Sequence, residues 1–251
     1  MKTFSLAGSG ALVTGSSRGI GLAIANRLME MGARVVFHGH TPRPQEIASS
    51  VPYLQSNFLD EDAPGQTIAS AFEADEQLNL LVCNAGSFFD VPYLEMTAAE
   101  WEKTITLNVR AVYFLVQAFA KEMVARKRGG SIVIISSTNG FQSEDFSTAY
   151  DTSKGALVMM TRTLAHSLAV HHIRVNGVAP GLIYTPLSAA YLDAQPARRR
   201  HYEKKILVGR IGRAEDCAGP VAFLLSPASE YITGQTLIVD GGLTTSQIGA
   251  L

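Results

Sequence analysis

Six short apolar runs constrain this chain more than any other feature of its sequence. They are "ALVTG" (Ala11–Gly15), "RVVFHG" (Arg34–Gly39), "LNLLVCNAG" (Leu78–Gly86), "GSIVIISS" (Gly130–Ser137), "IRVNGVAPG" (Ile173–Gly181) and "GQTLIVDGG" (Gly234–Gly242). None shows the polar alternation of a strand with one wet face, so each must be covered on both sides. Longer amphipathic segments separate most of them and supply that cover. Strands joined through helices pair in parallel, so the expected fold class is α/β, a doubly wound sheet flanked by helices. The 251 residues carry no internal repeat, low-complexity block or Pro/Ser-rich linker, and one domain spanning 1–251 is expected.

Two segments break the rhythm. Between His40 and Asn57, "HTPRPQEIASSVPYLQSN" has two prolines and weak periodicity, leaving room for only a short helix. From Leu182 to Val208 the chain turns polar and basic, ahead of a new helix near Ala214. Ligands of open α/β sheets sit beyond the carboxyl ends of the strands, so residues 182–208 are the candidate substrate lid.

Composition narrows the partners. A hydrophobic fraction of 47%, a charged fraction of 17% and a formal net charge of −1 describe a folded chain without the basic footprint of a nucleic-acid or anionic-membrane binder. Small molecules are the expected partners. Cys83 and Cys217 have neither the number nor the spacing of a disulfide framework or zinc site, which points to a reducing compartment. "MKTFSLAGSGALVTG" lacks an apolar run long enough for a leader or membrane span, and a cytoplasmic location is expected.

The first run leads straight into "TGSSRGIGLAIANRL". Gly15, Gly19 and Gly21 fall where a strand turns into a helix, and residues without Cβ permit the tight turn and the close approach of a pyrophosphate. The helix starting there directs its free N–H groups at the phosphates. A plain structural turn is the alternative for glycines considered alone. At the end of the second run, where a carboxylate would receive the ribose hydroxyls of NAD, the text is "VVFHGHTPR" with none. Arg18, His40 and Arg43 are placed to meet a 2′-phosphate instead, so NADP(H) is favoured over NAD(H). Solvated surface charge is the other reading of the arginines. His38 and His40 share a strand face, but with no carboxylate or thiol nearby no metal is expected.

"STAYDTSKGAL" opens another amphipathic segment. Tyr150 and Lys154 stand about one helical turn apart, so both side chains leave the same face and can act on one bound molecule. An aromatic ring packed on a lysine stem is the competing reading.

Taken together, these motifs resemble the short-chain dehydrogenase/reductase family. "TGSSRGIG" is similar to its glycine motif, "NAG" (Asn84–Gly86) to its sheet-stabilising turn, and "YDTSK" to its Tyr-x-x-x-Lys signature. "LNV" (Leu107–Val109), the serine pair of "IISS", "NGVAPGLIYT" and "ITGQTLIVDGG" follow in the same order, so the resemblance spans nearly the whole chain. It implies a single Rossmann-type domain with a seven-stranded parallel sheet. It also implies a catalytic tetrad of Asn108, Ser137, Tyr150 and Lys154, with Ser136 the competitor for the serine.

Cofactor contacts implied by the resemblance fall on Gly15, Ser17, Arg18, Ile20, Asn84, Ala85, Gly86, Tyr150, Lys154, Pro180, Ile183 and Thr185, with Gly19, Gly21 and Gly181 shaping the same turns. Many members are homotetramers built partly on two long helices, here Trp101–Arg126 and Thr152–Val170. The sequence departs from the family at "QSNFLDED", where Asn57 replaces an aspartate that commonly approaches the adenine.

The chemistry implied is hydride transfer between a nicotinamide and an alcohol or ketone carbon. A phenol's ordinary pKa of about 10 is too high for easy proton exchange at neutral pH, and a charged Lys154 would stabilise the phenolate. Ser137 would hydrogen-bond the substrate oxygen, and Asn108 would hold a water linking Lys154 to solvent. "APGLIYTP" would turn beneath the nicotinamide, though a helix start at Thr185–Pro186 fits equally well. The expected pocket walls are Ser87, Phe88, Phe89, Gly140, Phe141, Gln142, Asp145 and Tyr184. Their mixture of aromatic and polar groups suits a sugar, polyol or small keto compound as the alcohol or ketone substrate.

The alternatives are a 3-oxoacyl-thioester reductase, a nucleotide-sugar epimerase or dehydratase, and a non-catalytic nucleotide-binding module. Only nine residues follow "VDGG", so the C-terminal substrate domain of the epimerases is not expected. The basic run Arg198, Arg199, Arg200, His201, Lys204 and Lys205 reads as the outer face of a surface helix or as a guide for anions.

Overall fold

The computed structural model describes residues 4–245, so Met1 to Thr3 and the last six residues, part of the tail after "VDGG", lie outside the described residues. All six apolar runs become strands of one parallel sheet. In chain order the elements are β1 (Gly10–Val13), α1 (Gly19–Glu30), β2 (Arg34–Gly39), β3 (Tyr53–Gln55), α2 (Ala63–Ala74), β4 (Leu78–Cys83), α3 (Ala98–Ile105), α4 (Ala111–Ala125), β5 (Gly130–Ile135), α5 (Thr148–Leu168), β6 (Ile173–Pro180), β7 (Ile183–Tyr184), α6 (Ala189–Asp193), α7 (Pro196–Lys205), β8 (Gly212–Arg213), α8 (Ala214–Leu225) and β9 (Thr236–Val239). The seven-stranded sheet runs β3-β2-β1-β4-β5-β6-β9, and β7 and β8 form a separate small pair.

Successive residues of each strand feed opposite cores, which is why the runs lack polar alternation. Leu12, Val36, Leu81 and Ile132 pack beneath α2, α4 and α5 with Phe72, Phe119 and Leu157. Val13, Phe37, Val82 and Val133 face the other way, towards Ile24 and Leu28 of α1 and Val221 and Leu225 of α8. The strand order reverses between β1 and β4, and a crevice opens there beyond the carboxyl ends.

Several expectations need correction. No helix forms between β2 and β3. Turns fill the segment, and Arg43 clamps them by donating to the carbonyls of Ala48 and Val51, both at 2.7 Å. β3 is only three residues long and carries no apolar run. The helix expected over Trp101–Arg126 contains a π-helical stretch, Thr106–Arg110, between α3 and α4. α5 begins four residues earlier than the expected Thr152, at Thr148. No helix starts at Thr185: the Ser188 hydroxyl accepts from the Thr185 N–H and donates to the Ile183 carbonyl, and α6 begins after it.

The segment 182–208 folds back as α6 and α7 around a small core of its own, in which Leu182, Tyr202 and Leu243 pack on buried Leu192, Ile206 and Ile211. Among the described residues, no helix is long and apolar enough to cross a membrane and no cluster of side chains could hold a metal ion.

Candidate active site

The glycine turn is held from both flanks. Asn84, just past β4, donates through Nδ2 to the carbonyls of Thr14 (3.0 Å) and Gly15 (3.1 Å). Thr14 answers, its hydroxyl accepting from the N–H groups of Asn84 and Ala85. Gly15 has φ +64°, and a Cβ there would stand 2.8 Å from Cα of Ala85. At Gly21 the constraint is proximity, since a Cβ would come within 2.2 Å of the Gly15 carbonyl oxygen. The cradle has no room for side chains and ends at the N-terminus of α1, with exposed Arg18 at the cap, so the residues present fit a pyrophosphate. Thr185 approaches the same turn, its Cβ lying 3.6 Å from where a Gly19 Cβ would be. Pro180 ends β6, and the Gly181 N–H donates to Val239, which turns the chain towards buried Ile183.

His40 is exposed just past the end of β2. Arg43 is not available in the way expected of it. Its guanidinium is spent on its own loop and lies over the Tyr53 ring at 5.5 Å. Asn57 caps the turn after β3, its side chain accepting from the Leu59 N–H.

Across the crevice, Tyr150 occupies the first turn of α5, and the orphan N–H groups of that turn find an acceptor in Asp90. Its carboxylate accepts from Ala149 (3.1 Å) and Tyr150 (2.8 Å). Phe88 packs on the Tyr150 ring at 5.3 Å between centroids. Burial pushes the phenol up to about 12, the facing Ser137 hydroxyl offsets part of this, and the carboxylates of Glu144, Asp151 and Asp90 add to it. Lys154 is buried one turn further on. Its ammonium donates to the Ile135 carbonyl at 3.3 Å and lies 5.3 Å from the Tyr150 ring centroid. Burial lowers it to about 8.

The two candidate serines separate cleanly. Ser136 turns its hydroxyl into the sheet and donates to the Val178 carbonyl. Ser137 accepts from the Asn139 N–H (3.1 Å), donates to Asn139 Oδ1 (3.3 Å) and faces the phenol. Asn108 sits inside the π-helical stretch, and its side chain is heavily engaged. Oδ1 accepts from the Ser87 N–H, while Nδ2 donates to the Ser87 carbonyl and to Ser153 Oγ. Oδ1 also lies beside Gly86, where an added Cβ would stand 3.1 Å from it and 3.6 Å from the Lys154 ammonium.

Thr14, Asp90, Asn139 and Ser153 escape the sequence reading. Only Thr14, adjoining the glycines, carries a local signal; the others act through partners that folding brings together.

Of the expected pocket walls, Phe88, Phe141 and Tyr184 are exposed around the crevice, and Phe89 lies under Lys103. Two of the six basic residues of α7 are engaged. Arg199 pairs with Asp193 and Glu203, and Arg198 lies over Tyr191. Tyr202, on the same helix, reaches across to Glu144 at 3.0 Å and ties the lid to the loop before α5.

A dinucleotide cradle at the switch point of a parallel sheet, facing a half-buried phenol and a buried ammonium on one helical turn, defines a nicotinamide-dependent oxidoreductase. Comparison with known proteins agrees. Residues 15–244 match the family described as enoyl-(acyl carrier protein) reductase. Dehydrogenase/reductase SDR family member 4 of Oryctolagus cuniculus is 37% identical over 250 residues, covering 94% of each chain.

Two solved structures align over nearly the whole length. One, from Beutenbergia cavernae with NADP bound at low occupancy, has a TM-score of 0.92 and 35% identity over 97% of this chain and 100% of that one. The other, a gluconate 5-dehydrogenase from Burkholderia cenocepacia in complex with NADP and tartrate, has a TM-score of 0.91 and 32% identity over 98% of each. The chain belongs to the short-chain dehydrogenase/reductase family and is an NAD(P)-dependent oxidoreductase acting between alcohol and ketone.

Proposed function

We propose that this enzyme prefers NADP(H) and interconverts a secondary alcohol and a ketone on a sugar, a polyol or a small keto compound. Its catalytic groups are Asn108, Ser137, Tyr150 and Lys154. The observation that carries this reading is the convergence of the Ser137 hydroxyl and the Lys154 ammonium on Tyr150, while Ser136 is turned away.

In this reading Ser137 holds the substrate oxygen, and Tyr150 gives it a proton during reduction or takes one during oxidation. Lys154 offsets the negative charge that the phenol then carries. A nicotinamide bound beside Gly86 and Thr185 would supply or accept the hydride. Asn108 keeps the wall behind Lys154 polar, at the point where protons must enter.

Exposed Arg18 and His40, and the lack of a carboxylate at the end of β2, support a 2′-phosphate site. Structural relatives with NADP bound agree with that preference. The polar and aromatic rim, and the tartrate held by the Burkholderia cenocepacia relative, favour a polyhydroxylated substrate. Exposed Leu187, Leu207 and Val208 on the lid favour an acyl thioester as the second reading. Exposed Tyr113, Phe114 and Val124 on α4 suit the helix pairing of a homotetramer, and two buried free thiols suit a cytoplasmic enzyme folded as one domain with a lid at about 182–208.

Titration with NADPH and with NADH, followed by nicotinamide fluorescence, tests the reading before any substrate is known. Tight binding of NADPH alone supports it. Preference for NADH overturns the cofactor assignment, and binding of neither overturns the enzyme assignment.

A further inference from the structure

We propose that His38 is a positioning residue for the cofactor, presetting the phosphate-binding turn through a ring nitrogen that accepts the Gly15 N–H. The proposal rests on the reading that this turn binds NAD(P)(H).

His38 lies on β2 and is 2% exposed. Its ring stacks on Phe58 with centroids 4.3 Å apart and planes 9° from parallel. Nδ1 is 3.1 Å from the Gly15 nitrogen, and a backbone N–H can be met there only by a lone pair. The ring proton must therefore sit on Nε2, which donates to Ser56 Oγ at 2.9 Å. That hydroxyl, having accepted, is free to donate to Thr67 Oγ1 at 2.7 Å. One bond thus settles the tautomer and the direction of the chain behind it. Burial holds the ring neutral, with its pKa down to about 4, so the acceptor persists across the physiological range.

The effect on the turn is specific. The Gly15 peptide is pinned at its N–H by His38 and at its carbonyl by Asn84. The neighbouring residue is tied as well: Ser16 donates its N–H to the His38 carbonyl at 2.8 Å, and its hydroxyl accepts from the His38 N–H at 2.9 Å. A turn fixed at φ +64° before the ligand arrives spends no binding energy on ordering itself. A histidine that merely filled space would be replaceable by any side chain of similar volume.

Two substitutions separate these roles. His38→Leu keeps apolar volume and leaves the Gly15 N–H without an acceptor. His38→Asn places Oδ1 close to where Nδ1 stands. Equilibrium titration with NADPH and NADH should show His38→Leu weakening both nucleotides by about tenfold or more, because the turn serves the pyrophosphate they share. His38→Asn should recover to within about threefold of the wild type, by the same reckoning. Wild-type affinity in the Leu variant, or equal losses in both variants, would overturn the proposal.

Should His38→Leu fail to fold, Ser56→Ala keeps the ring but removes the acceptor that fixes its tautomer. A rise of about threefold in Kd then supports the proposal, and an unchanged Kd overturns it. Wild-type protein that binds neither nucleotide would sink the cofactor reading and this inference together. Wild-type binding beside an indifferent Leu variant sinks this inference alone.

Discussion

Lys154 and Tyr150 share one face of α5 with the ammonium 5.3 Å from the ring centroid, and both are pushed by burial away from their charged forms. The phenol resists losing its proton and the ammonium resists keeping its own. Moving a proton off Tyr150 therefore depends on Lys154 being charged at that moment, which couples the two groups more tightly than solvent would.

Tyr150→Phe removes the only hydroxyl of that pair and leaves the ring packed on Phe88. Turnover should fall by about 10²–10⁴-fold while nucleotide affinity stays within about threefold. Steady-state rates and fluorescence titration on the same preparation check both halves.

Ser137→Ala and Ser136→Ala should behave differently although the residues are adjacent. The first removes the hydroxyl facing the phenol and should cost about 10²–10³-fold in kcat. The second removes a bond to the Val178 carbonyl and should cost about 1 kcal/mol of stability with kcat nearly unchanged. Denaturant melts beside kinetics separate them, and equal losses of kcat would contradict the assignment.

Stability should rise with pH on account of Lys154. Its folded pKa of about 8 lies below the ordinary 10.5, so between those values the unfolded chain binds the more protons and folding gains as pH rises. Below pH 8 the cost is full, on the order of 3 kcal/mol. Lys154→Met should therefore stabilise the protein at pH 7 by about 1–3 kcal/mol, flatten this limb and lose turnover. Urea melts at pH 7 and 9.5 provide the test.

If Arg18 and His40 form the proposed 2′-phosphate site, Arg18→Ala combined with His40→Ala should weaken NADPH binding by about tenfold or more and leave NADH nearly unaffected. Adding Arg43→Ala should not extend the loss in affinity. That guanidinium holds Ala48 and Val51, so its removal should appear as a lower Tm.

The parts of this molecule legible in the sequence are those encoded locally. Runs such as "RVVFHG" announce buried strands, and the glycines of "TGSSRGIG" and the spacing of Tyr150 and Lys154 announce a cradle and a helical pair. β3 shows no apolar run of its own, because three residues at a sheet edge, none fully buried, need none, and only the family resemblance implies a strand ending there. The π-helical stretch around Asn108 leaves no mark in the residue pattern. Asp90 is invisible for another reason: its partners lie 59 and 60 residues away, and only the folded chain shows that it completes the first turn of α5. Arg43 misleads in the opposite sense, because a sequence lists charges without saying which carbonyls have already claimed them.

The small core under the lid has a consequence for how such a chain can change over generations. Leu192, Ile206 and Ile211 pack among themselves and their immediate neighbours, apart from the two large cores that hold the sheet. Apart from Ile183 and Thr185, at the expected cofactor contacts, and Tyr202, which reaches the loop before α5, positions between 182 and 208 can therefore vary away from the two large cores. An ancestral enzyme built this way could acquire a new diet by rewriting one segment, keeping its inherited chemistry intact while selection sampled what the lid admits.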